Sequence, residues 1–177
     1  MQTFFEQAPP DDYLQTWSQR LAEPEVSKRT EDMGVLVIRL GDAYMAWRAD
    51  ACLTLLAMHP IHRLPHRHHP ALCGLIALSG QLIPCLSLAH VLHLPVTWDV
   101  SQASLMLLGK EEQPTAMMVD AVVSYMRLNH QDVLPLPDAM ADYERYASES
   151  MVLWQERAIP LLSEEQVLQN VARCMQA

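Results

Sequence analysis

The chain has 177 residues, half of them hydrophobic, and a formal net charge of −9 from 21 acidic and 12 basic side chains. That length holds one ordinary domain or two small subdomains sharing a core, and that apolar content excludes disorder as the main state. The acidic balance, without any dense Lys/Arg cluster, argues against nucleic acid as a partner.

Met1 to Glu6 has neither the basic nor the apolar region of a signal peptide, so a cytoplasmic protein is expected. Pro9-Pro10-Asp11-Asp12 precedes a predicted helix with Tyr13, Leu14, Trp17 and Leu21 on one stripe, an aspartate as cap and Pro24 as stop. Glu23 to Asp32 is polar and reads as a linker. Residues 1–32 are therefore expected to form a helical extension, and residues 33–177 the folded body.

Val35 to Leu40 is short and β-branched, which predicts a buried strand. Gly41-Asp42 turns the chain into a second strand, Tyr44 to Trp47, and Cys52 to Met58 is a third. His59 to Pro70 carries three prolines and five histidines, the composition of a loop. Leu75 to Leu78 and Leu82 to Leu86 flank Ser79-Gly80-Gln81, a hairpin signal. A serine-capped helix, Ser87 to His93, follows and stops at Pro95. The most apolar stretch, Ala71 to Leu94, is interrupted by Ser79, Gly80, Gln81, Pro84, His90 and His93. It is no membrane-spanning helix, and no direct membrane insertion is expected.

The second half repeats this order. Strands are predicted at Leu105 to Leu108, Ala116 to Val119, Val122 to Met126, Met151 to Trp154 and Ala158 to Leu162. Pro135 to Ala141 reads as a loop, and a second serine-capped helix runs from Ser163 to about Met175. Its expected apolar face is Val167, Leu168, Val171 and Met175. Ile83-Pro84-x-Leu86-Ser87-x-x-x-Val91-Leu92 returns as Ile159-Pro160-x-Leu162-Ser163-x-x-x-Val167-Leu168, with six of ten positions identical. Two similar halves of short antiparallel strands imply two small barrels, with an apolar groove where they meet.

Few residues suggest chemistry. His59, His62, His66, His68 and His69 lie close together and admit a metal or pH sensor as the alternative function. No finger-like cysteine spacing and no HExxH accompany them, so no metal site is assigned and a solvated loop is expected. No glycine-rich phosphate loop and no paired catalytic constellation occurs, so neither a cofactor nor catalysis is expected. Ser87 and Ser163 read as helix caps rather than nucleophiles. Cys52, Cys73, Cys85 and Cys174 read as small hydrophobes in a reducing compartment.

Gly74-Leu75-Ile76-Ala77-Leu78-Ser79-Gly80-Gln81-Leu82-Ile83-Pro84-Cys85-Leu86-Ser87-Leu88 resembles the CheW-like signature G-x-x-N-L-R-G-x-x-x-P-x-x-D-L. Ile38 to Asp42, Arg63-Leu64-Pro65 and Ala116 to Val122 resemble further elements of that family, in order, over about 140 residues. The resemblance implies a mainly β fold of two interlocked five-stranded SH3-like barrels. It implies a non-enzymatic adaptor in a chemosensory array. Its partners would be the cytoplasmic tip of a methyl-accepting chemoreceptor, the regulatory domain of a CheA-type histidine kinase and other CheW-like proteins. Carried over by position, the partner-binding groove would be Cys52, Leu55, Leu72, Gly74, Leu78, Ser79 and Leu82. The family's usual glutamate and arginine fall on Thr54 and Ser79, so an ion pair is missing as a pair. His62 to Arg67, Leu82 to Leu88 and Val152 to Gln155 are similar to the Wsp-type adaptors, which implies surface sensing with a cyclic-di-GMP output.

Overall fold

The computed structural model describes residues 32–65, 69–95, 103–110, 112–136 and 148–176. The predicted N-terminal helix, His66 and His68, and most of the loop after Pro135 lie outside these residues.

Among the described residues, eleven strands and two α-helices follow one another. The first half contains β1 (Met33–Leu40), β2 (Ala43–Arg48), β3 (Cys52–Ala57), β4 (Leu72–Leu78), β5 (Gln81–Ser87) and α1 (Leu88–Val91). The second contains β6 (Ser104–Lys110), β7 (Gln113–Val119), β8 (Ala121–Leu128), the two-residue β9 (Leu134–Pro135), β10 (Ser148–Trp154), β11 (Arg157–Leu162) and α2 (Glu164–Gln176).

The two halves of the sequence are not the two sheets. A six-stranded sheet runs β8-β1-β2-β11-β10-β9, and a five-stranded sheet runs β3-β6-β7-β5-β4. Each half therefore lends its first hairpin to the sheet completed by the other half. The join is a parallel pairing in both cases: Cys85, Leu86 and Ser87 of β5 lie beside Ala116, Met117 and Met118 of β7, and Leu161 of β11 lies beside Ala46 of β2. The bulges repeat too, between Val37 and Ile38 and between Cys52 and Thr54, then between Leu72 and Gly74 and between Ser148 and Ser150. The interlocking is thus an exchange of hairpins.

This exchange explains why β1 and β6 are apolar at successive positions. A strand buried on both faces shows no polar alternation. Leu36, Ile38 and Leu40 of β1 enter a central cluster, while Met33, Val35 and Val37 enter the cluster of the six-stranded sheet. On β6, Met106 and Leu108 join the central cluster, and Leu105 and Leu107 join that of the five-stranded sheet. The central cluster also receives Met45, Trp47, Met117, Leu88 and Val167, so both halves and both helices share it. Each such Leu, Ile or Met side chain taken from water contributes about 1.5–3 kcal/mol.

Asp120, between β7 and β8, fastens the first turn. Its carboxylate accepts the Gly41 N–H at 2.5 Å, and its own N–H donates to the Arg39 carbonyl at 3.1 Å.

Both helices begin as expected. The buried Ser87 Oγ accepts the His90 N–H at 3.3 Å, and Ser163 Oγ accepts that of Gln166 at 3.5 Å. The first helix is shorter than predicted. His93 has a φ of 57°, its N–H reaches the His90 carbonyl at 3.1 Å, and the Leu94 N–H reaches the Ala89 carbonyl at 2.8 Å. That is a left-handed cap built without glycine. The predicted face of α2 needs one correction. Val167 and Val171 are buried and Cys174 packs beside them, whereas Met175 is 41% exposed. Cys174 follows Val167 and Val171 by seven and three residues, which holds it on their stripe, and Met175 turns past its edge.

Candidate partner-binding groove

The β4–β5 hairpin is tight. Leu78 pairs with Gln81 and Ala77 with Leu82, leaving Ser79 and Gly80 as the whole loop. Both adopt positive φ, 50° and 80°, the pattern of the primed turns whose twist suits a two-residue hairpin. Leu82, the second residue after the turn, is 67% exposed.

β3 forms the opposite margin of the same sheet. Its bulge makes Leu53 an extra residue, since Cys52 pairs with Leu108 and Thr54 with Leu107. Leu53, Thr54 and Leu55 are all exposed in succession. The strands β3, β4 and β5 contain no Asp, Glu, Lys or Arg at any position. Just before β3, Arg48 and Asp50 neutralise each other: Arg48 Nε donates to Asp50 Oδ1 at 3.0 Å and its Nη2 to Oδ2. That hydrogen bond holds the Asp50 carboxyl below its ordinary range and raises Arg48.

The seven residues assigned by position take several environments. Leu55 and Leu82 point to solvent. Cys52 and Leu72 are half-buried against the central cluster, and Leu78 packs on the cluster of the five-stranded sheet. Ser79 sits in the turn. Gly74 is buried, because Ile61-His62 crosses directly over it. His62 and Leu75 exchange two backbone hydrogen bonds of 2.8 Å there. The loop predicted from His59 to Pro70 thus lies partly against the outer edge of β4. An open cleft of about 490 Å³ lies elsewhere, lined by Arg48, Asp50, Ser163, Glu164 and Glu165, and none of the seven residues borders it.

The cysteines are less uniform than small hydrophobes. Burial pushes the Cys52 and Cys174 thiols up. Cys73 is held below the usual thiol range, first by a hydrogen bond from Cys85 and also by the charge of Arg63, against its own burial. The same contact and burial push Cys85 far up. Nothing in the spacing of Cys73 and Cys85 signals this pairing, because it depends on the bulge at Gly74. Among the described residues, no three or more His, Cys, Asp or Glu side chains are grouped to hold a metal ion.

The family model of the CheW-like domain matches residues 34–172. The chain belongs to the CheW-like domain family. Of solved structures, this CheW-like chain is similar to the scaffolding protein TtCheW from Thermoanaerobacter tengcongensis. The TM-score is 0.63 at 15% identity, covering 75% of this chain and 89% of that one. At that identity the likeness speaks for the shared fold of two sheets. No curated protein matches the chain. No helix among the described residues is long and apolar enough to cross a membrane.

Proposed function

We propose that this CheW-like protein is a non-enzymatic adaptor. It joins the cytoplasmic tip of a methyl-accepting chemoreceptor to the regulatory domain of a CheA-type histidine kinase. The observation that carries this reading is the absence of charge from β3, β4 and β5 together with exposed Leu53, Leu55 and Leu82. Exposed leucines on a charge-free sheet suit an apolar helical partner, with affinity drawn from buried area rather than ion pairs. A second CheW-like surface would hold the kinase domain or another CheW-like protein. The uncharged Thr54 and Ser79 favour a receptor outside the flagellar type, in a Wsp-type surface-sensing pathway that controls cyclic-di-GMP.

A binding experiment with a receptor-tip hairpin and a kinase regulatory domain from the same cell tests this. Both should be retained by the folded chain at micromolar concentration, corresponding to about −8 kcal/mol. Retention of neither would end the adaptor reading. Retention by a flagellar-type receptor tip alone would end the Wsp-type assignment.

A further inference from the structure

The bulge between β4 and β5 brings two thiols together. Leu72 pairs with Leu86 and the next pairing is Gly74 with Cys85, so Cys73 is the extra residue facing Cys85. In such a bulge, two residues of one strand oppose a single residue of the other. Gly74 takes the ladder position opposite Cys85, and Cys73 is the unpaired residue beside it, with its thiol in hydrogen-bond contact with that of Cys85. The two side chains share one environment: Cys85 is a fully buried member of the cluster of the five-stranded sheet, and Cys73 packs against it. Cys73 is only half-buried, its Sγ lies 3.9 Å from the Ala71 carbonyl, and both thiols are free.

We propose that Cys73 and Cys85 form a reversible intramolecular disulfide, which makes this bulge a hydroperoxide-sensitive modification site. Cys73 is the attacking sulfur, because it is the more accessible and the one whose thiolate its neighbours favour. Its thiolate takes the terminal oxygen of the hydroperoxide: an S–O bond forms, the O–O bond breaks, and an alkoxide or hydroxide leaves and is protonated. Sulfur is oxidised by two electrons and the peroxide is reduced by two. Cys85 then attacks the sulfenic sulfur. The S–S bond forms, the S–O bond breaks, and the departing hydroxide leaves with the Cys85 proton as water. A dithiol reductant restores both thiols by exchange. Burial of Cys85 shields it from direct oxidation and reserves it for this second step.

Treating the full-length chain with hydrogen peroxide and counting thiols reads the reaction. The four free thiols of the sequence should fall to two, and dithiothreitol should restore them. Trypsin releases residues 68–110 as one peptide holding Cys73 and Cys85 and no other cysteine. That peptide should lose two hydrogens, and cleavage after Leu78 should leave its halves linked. Cys52 and Cys174 should remain open to alkylation. In a Cys85→Ser variant, peroxide should leave a sulfenic acid at Cys73 that dimedone traps. A folded natural chain that keeps all four thiols under peroxide, or that bridges a different pair, overturns the proposal whether or not the variant folds. So does a folded Cys85→Ser chain without a dimedone adduct at Cys73.

Discussion

His62 lies across Gly74 so closely that a side chain there has no room. A Cβ on Gly74 would overlap the His62 carbonyl oxygen and stand 2.9 Å from both the His62 carbonyl carbon and Ile61 Cγ2. The φ of Gly74 is also +146°, which other residues rarely adopt. Relief requires moving a backbone segment held by two hydrogen bonds to Leu75. Gly74→Ala should therefore cost more than about 2 kcal/mol, the sum of strain and lost bonds. A urea midpoint within error of the natural chain would contradict this placement.

The corresponding second hairpin makes the same kind of turn with worse residues. Trp154 pairs with Arg157, and Gln155 and Glu156 have φ of 48° and 63°. Neither is glycine, so each carries a left-handed penalty of about 1 kcal/mol. Glu156→Gly should raise stability by several tenths to about 1 kcal/mol, reduced by the freedom glycine adds to the unfolded chain. Gly80→Ala should move stability the opposite way, although open space surrounds Gly80. Thermal melts of the two variants should shift in opposite directions.

Ser87 and Ser163 differ more than their matched places suggest. Ser87 is fully buried and its Oγ meets both the backbone N–H and the ring Nδ1 of His90, at 3.3 and 3.0 Å. Ser163 is half-buried with a longer bond. Ser163→Ala should cost about 0.5–1 kcal/mol, as an ordinary cap does. Ser87→Ala should cost about 1–2 kcal/mol, because it strips a buried partner from His90 as well. Chemical denaturation of the single variants should rank them in that order.

Cys73 should also stand apart in alkylation. Its thiol is held low by Cys85 and Arg63, while burial raises Cys52 and Cys174. The thiolate is the reacting form. Iodoacetamide near neutral pH should label Cys73 several-fold faster than Cys52, with the rate reaching half its plateau at lower pH. Equal rates for the two, read by mass spectrometry over time, would show that the contact with Cys85 does not lower Cys73.

The succession of strands along the chain and the two capped helices are legible because each follows from local signals: β-branched runs, Gly41 and Gly80 turns, and serines ahead of apolar stripes. The repeat of Ile-Pro-x-Leu-Ser shows two halves. What it does not reveal is which half completes which sheet. The parallel pairings of Cys85 with Ala116 and of Leu161 with Ala46 join residues far apart in the chain and leave no local mark. The double-sided burial of β1 is legible in the apolar run Val35 to Ile38, yet only the hairpin exchange gives that run two cores to serve. The groove residues divide for a similar reason. Leu55 and Leu82 lie exposed in the five-stranded sheet, next to the β3 bulge and the β4–β5 turn, while the burial of Gly74 depends on the crossing of His62, which no motif encodes.

Leu55 and Leu82 are where docking and folding separate. Leu82 is 67% exposed and Leu55 42% exposed, so neither contributes much to the core. Leu82→Asp and Leu55→Asp should leave the unfolding midpoint nearly unchanged, within about 0.5–1 kcal/mol. In a micromolar complex, loss of one central apolar contact with an unpaired carboxylate in its place costs about 2–4 kcal/mol, a weakening of roughly thirty-fold or more. Leu108→Ala is the contrasting control. It removes a fully buried central side chain and should cost about 2–5 kcal/mol of stability. Receptor-tip binding measured by calorimetry should therefore be lost in the aspartate variants at full stability. Retained binding in both would place the receptor on a different face of the sheet.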